Sequence, residues 1–596
     1  MEEIKNRIER LRAAMKKHGF SAYLVPSADA HLGEYTPEKW KSRSWISGFT
    51  GSAGTVVVTE KEAGLWTDSR YFLQAGQQLE GTGIQLFKEG LPETPSIEQY
   101  LTKTLQAGQV VACDGKCYSH GEALAMEAHL DNFGIKFDVS EDLFGPDVWA
   151  DRPSLPKGEL FDQPVKYAGE SAKDKINRVR EALHGHGANS YIITMIDELA
   201  WVFNVRGRDV ECNPVGVAYG FINDDKAVLF VLNEKIPQSL RTILEGQGIE
   251  IRPYEEAYEF VSKLPKESKV FVDGARTNEA FFRAVPKECR IVSGVSPIAL
   301  MKAVKNETEL NGVRAAMKRD GVALTRFFMW LESALDKGEK VTEVDIDRVL
   351  ADFRAKQDLY YGDSFDTIAG YNDHGAIVHY RANDESAYEV KKSGTLLLDS
   401  GGQYYDGTTD ITRTVSLDGN PSPAIKSDYT LVMKGHIAIA TAKFIEGTRG
   451  NQIDILARKP LWDNGLHYGH GTGHGVGCFL NVHEGPQNIR MDNNPTEMLL
   501  NSITSNEPGV YRGGKWGIRI ENLVRCQVVD ETEFGRFFGF ETLTLFYFDN
   551  NMIEKSMLTA DEIAWYNAYQ ARVYETLSPM LEPHEAAWLK EKTKAI

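Results

Sequence analysis

The chain has 596 residues, 42% of them hydrophobic and 26% charged, with a formal net charge of −18. That length exceeds what one core organises and implies several domains of ordinary soluble composition. The acidic balance argues against a nucleic-acid backbone as partner, and no apolar run reaches the roughly 18 residues that a membrane-spanning helix needs.

In chain order, Ile4, Ile8, Leu11 and Met15 recur at helical spacing, so an amphipathic helix is expected at the start rather than a signal-peptide core. It leads through Gly19 to an apolar strand at Ala22-Tyr23-Leu24-Val25. The same order of helix, glycine and strand returns about 170 residues later, from Arg178 through Gly187 to Ser190-Tyr191-Ile192-Ile193. Further apolar strands at 55–59, 110–113, 227–231 and 270–272 alternate with helical patterns, which reads as two related α/β domains. Pro153, Pro156, Gly158 and Pro164 mark a link between them. A long helical pattern starting at Leu300 opens a different region that mixes helices with antiparallel hairpins. The expected division is 1–155, 156–302 and 303–596. The tail from Leu558 to Trp588 is rich in Trp, Tyr and Leu at helical spacing and is expected to pack on the body.

Six cysteines, Cys113, Cys117, Cys212, Cys289, Cys478 and Cys526, show no CxxC spacing. They read as reduced thiols, and together with the missing leader they point to a cytoplasmic protein.

The last third carries the chemistry. Asp399 ends the apolar run Thr395-Leu396-Leu397-Leu398, turn signals follow, and Ile411, Arg413 and Val415 suggest a returning strand. A hairpin centred near Tyr404-Tyr405 would set Asp399 opposite Asp410. A second turn centred at Gly514 would set Glu507 opposite Glu521. His474 lies between the pairs in a glycine-rich stretch, 469–477. Any one of these acids alone reads as a solvated face or a turn former. Opposed carboxylate pairs repel unless a cation lies between them. Four hard carboxylates and one imidazole suit two divalent cations such as Mn²⁺, which together activate a water and polarise a carbonyl. A phosphate cradle is the competing reading of 469–477, but the Gly-Lys-Ser/Thr ending of a P-loop is missing.

The blocks 398–401, 406–414, 469–477, 506–509 and 517–522 resemble the signatures of the pita-bread metallopeptidases, which include methionine aminopeptidase, prolidase and Xaa-Pro aminopeptidase. Asn481-Val482-His483-Glu484-Gly485-Pro486, Ser47-Gly48-Phe49-Thr50-Gly51 and Trp66-Thr67-Asp68-Ser69-Arg70-Tyr71 extend the likeness to the long, three-domain Xaa-Pro aminopeptidases. The resemblance implies two creatinase-like α/β domains followed by a pita-bread catalytic domain. It also implies a homodimer whose amino-terminal half limits the cleft to short peptides with proline at position two. Metal ligation falls on Asp399, Asp410, His474, Glu507 and Glu521, with no departure at any of the five positions. The resemblance assigns catalytic roles to Glu507, His379, His470 and His483. It assigns substrate contacts to Arg70, His379, His483, Tyr511 and Arg519. Glu507 is expected to be the general base, although sequence alone does not separate it from Glu521. His379 is expected on a strand over 375–380. Arg519, two residues from Glu521, should orient carboxylates. Pairing of Arg70 with Asp68 is the competing reading of that arginine. Prolidase and methionine aminopeptidase chemistry stay open at this stage, as does a binding module of the same fold that works without metal.

Overall fold

The apolar stripe Ile4, Ile8, Leu11 and Met15 forms the buried face of a helix, Glu2–His18. Its first turn is acidic and its last turn basic, which suits the helix dipole. Gly19, at φ 74°, ends it and delivers the chain into the strand Ala22–Pro26. A computed structural model describes residues 2–596 of the chain. Two compact units result, one of Met1–Pro164 and Glu170–Leu300, the other of Val165–Gly169 and Met301–Ile596.

The first unit contains two six-stranded sheets. In one, the order is Gln85–Lys88, Ala63–Thr67, Thr55–Thr59, Ala22–Pro26, Val110–Cys113, Lys136–Asp138. In the other it is Ile249–Pro253, Ala227–Val231, Tyr219–Asn223, Ser190–Ile193, Lys269–Val272, Arg290–Ser293. Strand directions agree position by position. In both, the strand that follows the first helix pairs antiparallel on one side and parallel on the other. The repeat read in the sequence is therefore a repeat of topology. Its central strands are buried on both faces, as Val56, Val57 and Val58 illustrate, while edge strands such as Arg290–Ser293 are largely exposed. Residues 151–160 between the sheets have no regular structure.

The second unit departs from expectation at its start. The helical pattern from Leu300 is two helices, Pro297–Ala303 and Glu307–Asp336. Asn306 leaves helical geometry at ψ 170°, caps Glu309 N–H with its side chain, and receives the Glu309 carboxylate on its own N–H. The 30-residue helix then lays Leu310, Val313, Met317, Phe327 and Phe328 into the main core. An antiparallel sheet of Ile368–Tyr371, Thr395–Ser400 and Ile411–Ser416 lies in this unit. So does a six-stranded sheet that contains Gly473–Gly475, Ile503–Asn506 and Asn522–Thr532. The tail forms helices Ala560–Leu577 and Pro583–Lys592, whose Tyr566, Tyr569, Val573, Leu577 and Leu589 join the core.

Among the described residues, none of the six cysteines is in a disulfide, and no helix is long and apolar enough to cross a membrane.

Candidate metal centre

Two hairpins and one short strand supply the acidic cluster. In the first hairpin the register is Asp399↔Thr412 and Ser400↔Ile411, continuing to Gln403↔Thr408 and Tyr404↔Gly407. The turn is Tyr405-Asp406, one position later than expected, so Asp399 faces Thr412 and not Asp410. Asp410 stays on the same face as the diagonal neighbour, still within reach of a shared ligand.

The second hairpin has the expected centre. Ile503–Asn506 pairs with Asn522–Arg525 and Gly509–Arg512 with Trp516–Arg519 in one continuous register. Glu507 and Glu521 fall between these ladders, where the pairing opens. Glu507 N–H donates to Thr472 O at 2.8 Å, and Glu521 N–H donates to Thr412 O at 3.1 Å. The hairpin is thus tied by its two acidic residues to the segments that carry His474 and Asp410.

One ligand atom from each of Asp410, His474 and Glu521 lies within 4.8 Å of the others. His474 Nε2 stands 3.5 Å from Asp410 Oδ2 and 3.4 Å from Glu507 Oε1. Its Nδ1 lies 2.9 Å from the Gly475 carbonyl, which can only accept, so Nδ1 carries a hydrogen, and loss of the Nε2 proton leaves that nitrogen's lone pair toward the carboxylates. That tautomer is the one a metal ligand needs.

The electrostatics are those of carboxylates crowded together in a buried site. Burial lifts the Asp399 carboxyl to about 6, against the pull of Arg519 and with help from the Asp410 charge. Glu521 is raised well above the usual carboxylate range by burial and then by Asp410 and Glu507. Burial opposes the imidazolium of His474, but Asp410 and Glu507 lift it to about 9. Asp399 Oδ1 and Glu521 Oε1 are buried and accept no hydrogen bond. Buried carboxylate oxygens without donors are costly unless a cation takes their place. Together with Nε2 of His474, once it has given up its proton, they make a donor set that fits divalent ions.

Arg519 supports the cluster. Its Nη2 donates to Asp399 Oδ2 at 2.6 Å and its Nε to Thr412 Oγ1 at 3.2 Å, while Nη1 donates to Tyr511 Oη at 2.8 Å. His470 Nδ1 donates to the Gly471 carbonyl at 2.7 Å, leaving Nε2 to accept from Tyr511 Oη at 2.7 Å. A chain of donors therefore runs from Arg519 through Tyr511 to His470. The His483 ring stands edge-on to His474 at 4.3 Å.

His379 is not on a strand. The strand ends at Tyr371; a 3₁₀ turn, Asn372–Ala376, follows, and His379 lies in the turn after it. Asn372, at φ 51°, breaks the extended path. Arg70 belongs to the other compact unit, where its Nε and Nη2 fork onto Asp68 at 2.8 Å each.

Sequence reasoning missed Thr412 and Arg413. Thr412 Oγ1 donates to Glu521 Oε2 at 2.7 Å and accepts from Arg519. Alternation from Asp410 places it on the cluster's face and was the available signal. The buried Arg413 reaches the Thr412 and Glu521 carbonyls and, from the tail side, Tyr547 O, Phe546 O and Tyr569 Oη. Nothing local in the sequence announces that connection.

Comparison with known proteins agrees with this architecture. Residues 311–527 match metallopeptidase family M24, and 536–596 match the C-terminal region of peptidase M24. Residues 7–141 and 151–309 each match a creatinase/prolidase N-terminal domain. A probable Xaa-Pro aminopeptidase P of Coprinopsis cinerea is 40% identical, over 98% of this chain and 97% of its own. Xaa-Pro aminopeptidase 1 of Dictyostelium discoideum is 38% identical, over 100% and 97%. The chain belongs to the Xaa-Pro aminopeptidase family. A crystal structure of X-prolyl aminopeptidase from Caenorhabditis elegans, described as a cytosolic enzyme with a di-nuclear active site, superposes with a TM-score of 0.95. It is 34% identical and each chain covers 100% of the other. The fold is accordingly that of this family's long members: two creatinase-type α/β domains and a pita-bread metallopeptidase domain.

Proposed function

We propose that this chain is an Xaa-Pro aminopeptidase that hydrolyses the bond between an amino-terminal residue and a proline at position two, with two divalent ions held by Asp399, Asp410, His474, Glu507 and Glu521. The observation that carries the ligand assignment is the pair of buried, donorless oxygens, Asp399 Oδ1 and Glu521 Oε1, beside the Nε2 that His474 turns toward the carboxylates. The names of the full-length relatives carry the substrate class. When bound, such ions lower the pKa of water and polarise the scissile carbonyl.

The residues divide the remaining work. Glu507 is the most exposed of the carboxylates facing His474, 17% against 4% for Asp410, so it is the one placed to take a proton from the attacking water and carry it to the departing nitrogen. Ser505 Oγ accepts from His474 N–H at 2.9 Å and donates to Glu507 Oε1 at 3.2 Å, which orients that oxygen. Arg519 holds Asp399 in orientation. His379, His470 and His483 assist at the reacting carbonyl, and Arg70, His379, His483, Tyr511 and Arg519 contact substrate in this reading. Mn²⁺ is the proposed metal, from the hardness of the donor set. The cytosolic description of the worm enzyme supports a cytoplasmic location. We further propose three domains divided near 155 and 302, and a homodimer, symmetric dimers being the commonest assemblies.

The test is metal-stripped protein with Mn²⁺, Co²⁺ or Zn²⁺ restored singly. Xaa-Pro-Xaa peptides should be cleaved with the metal present and not without it. Cleavage confined to Xaa-Pro dipeptides or to Met-Ala-Xaa would overturn the specificity. Metal-independent turnover would overturn the site. Light scattering of active enzyme at 66.7 kDa, the mass of one chain, would overturn the dimer.

A further inference from the structure

Between the strands Ile368–Tyr371 and Glu389–Val390 the chain makes an excursion, residues 372–388, with His379 near its middle. One side of this excursion meets the candidate site. Val378 O accepts from Arg519 Nη2 at 3.4 Å. Gly375 packs on Gly517 so closely that a Cβ on Gly517 would stand 1.7 Å from the Gly375 carbonyl oxygen.

The other side meets Glu343, which is fully buried at the first position of the helix Glu343–Arg354. Glu343 Oε1 accepts from Tyr371 N–H at 2.8 Å. Oε2 accepts from Tyr388 N–H at 2.8 Å and from Tyr380 Oη at 2.9 Å. His374 Nδ1 lies 3.0 and 2.9 Å from the two oxygens. The His374 ring also stacks on Tyr388 at 3.6 Å and packs against Tyr380 at 4.3 Å. One carboxylate therefore pins both feet of the excursion and two interior side chains that bracket His379.

A helix-capping role does not account for this arrangement. Thr342 and Asp345 already form a reciprocal capping box at that helix end. None of the four donors that Glu343 receives belongs to its own helix. The helix N-terminus favours the charge, and the loop consumes the hydrogen bonds.

We propose that Glu343 is a positioning residue for His379. It restricts the excursion so that His379 meets the reacting carbonyl in a productive geometry. Misplacement of a reacting group by about 1 Å costs on the order of a hundredfold in rate. The inference rests on the reading of His379 given above.

The test uses full-length, metal-loaded enzyme and a double-mutant comparison. Glu343→Gln keeps the shape but has one acceptor oxygen, so it cannot serve Tyr371 N–H and Tyr388 N–H together. It should lower kcat about tenfold to a hundredfold, with KM within about twofold and metal content unchanged. Tyr380→Phe removes one of the donors and should lower kcat less, in the same direction. In the His379→Ala background neither change should lower kcat further, because its target is already gone. Additive losses in the double variants would overturn the inference, as would wild-type kcat in Glu343→Gln. Wild-type turnover by His379→Ala alone would overturn the role of His379 and this inference with it, and the single variant reports that separately. If Glu343→Gln does not fold, Tyr380→Phe with and without His379→Ala carries the same comparison.

Discussion

Arg519 Nη2 lies 2.6 Å from Asp399 Oδ2, and both side chains are nearly sealed from solvent. The guanidinium engages one oxygen of Asp399 and leaves Oδ1 without a donor. The same arginine reaches Tyr511 and Thr412. Arg519 thus fixes the carboxylate without occupying the oxygen that a metal would take.

Arg519→Met should leave Asp399 buried beside other carboxylates with no compensating charge. Breaking a buried pair costs about 3–5 kcal/mol, so the metal-free variant should melt well below wild type. Added Mn²⁺ should recover part of the loss. Equal denaturant midpoints for the two metal-free proteins would show that the pair does not matter.

Asp410→Asn should lower kcat/KM by at least about a hundredfold and abolish the stabilisation that Mn²⁺ confers. In the metal-free protein the change relieves Asp399 and Glu521 but removes a charge that holds the His474 imidazolium, so the melting point should stay close to that of metal-free wild type. Calorimetry with and without Mn²⁺ measures both effects. Wild-type turnover in a metal-replete variant would refute the ligand role.

Metal affinity should rise with pH. Ligands bind metal only when deprotonated. His474, at about 9, holds a proton through neutral pH, and Asp399, at about 6, gains one below that. Binding should therefore tighten about tenfold per pH unit between 6 and 8, flatten near 9, and change more steeply below 6. Titration calorimetry in two buffers of different ionisation enthalpy counts the protons released. No release at pH 7 would contradict the raised value of His474.

Arg413→Leu should destabilise the protein on the order of 3 kcal/mol, by stranding the buried carbonyls of Glu521 and Tyr547 and removing a second donor from those of Thr412 and Phe546. Because two of those carbonyls belong to the strands of the metal centre, Mn²⁺ affinity should fall as well. Urea unfolding and metal titration would show a change confined to one of them if the linkage is absent.

Periodicity and turn chemistry made much of this legible. The first helix, three strands of each six-stranded sheet and the hairpin centred on Gly514 follow from local pattern. The Asp399 hairpin slipped because its turn signal, Asp406-Gly407, straddles the end of the bend: Asp406 is in it and Gly407 already pairs with Tyr404, and the pattern alone does not say which two residues turn. Glu507 and Glu521 were placed correctly because the glycine at φ 68° marks the turn unambiguously. His379 was misread since its apolar neighbours Ile377 and Val378 mimic a strand. The backbone bends there to meet Gly517, a contact 141–142 residues away in sequence that no local pattern encodes. Glu343 and Arg413 were invisible for the same reason: each gathers partners that only the finished fold assembles.

The opened ladder at Glu507 and Glu521 also tells an engineer where the chain can be cut and lengthened. The tip residues Gly513, Gly514 and Lys515 are exposed, and a Cβ on either glycine meets nothing within 4 Å, so extra residues inserted there leave both arms in step. One residue added between Glu507 and Arg512, or between Trp516 and Glu521, would turn a carboxylate to the opposite face of its strand. A peptide tag at Gly514 should be silent, and a single alanine after Val510 should empty the metal centre.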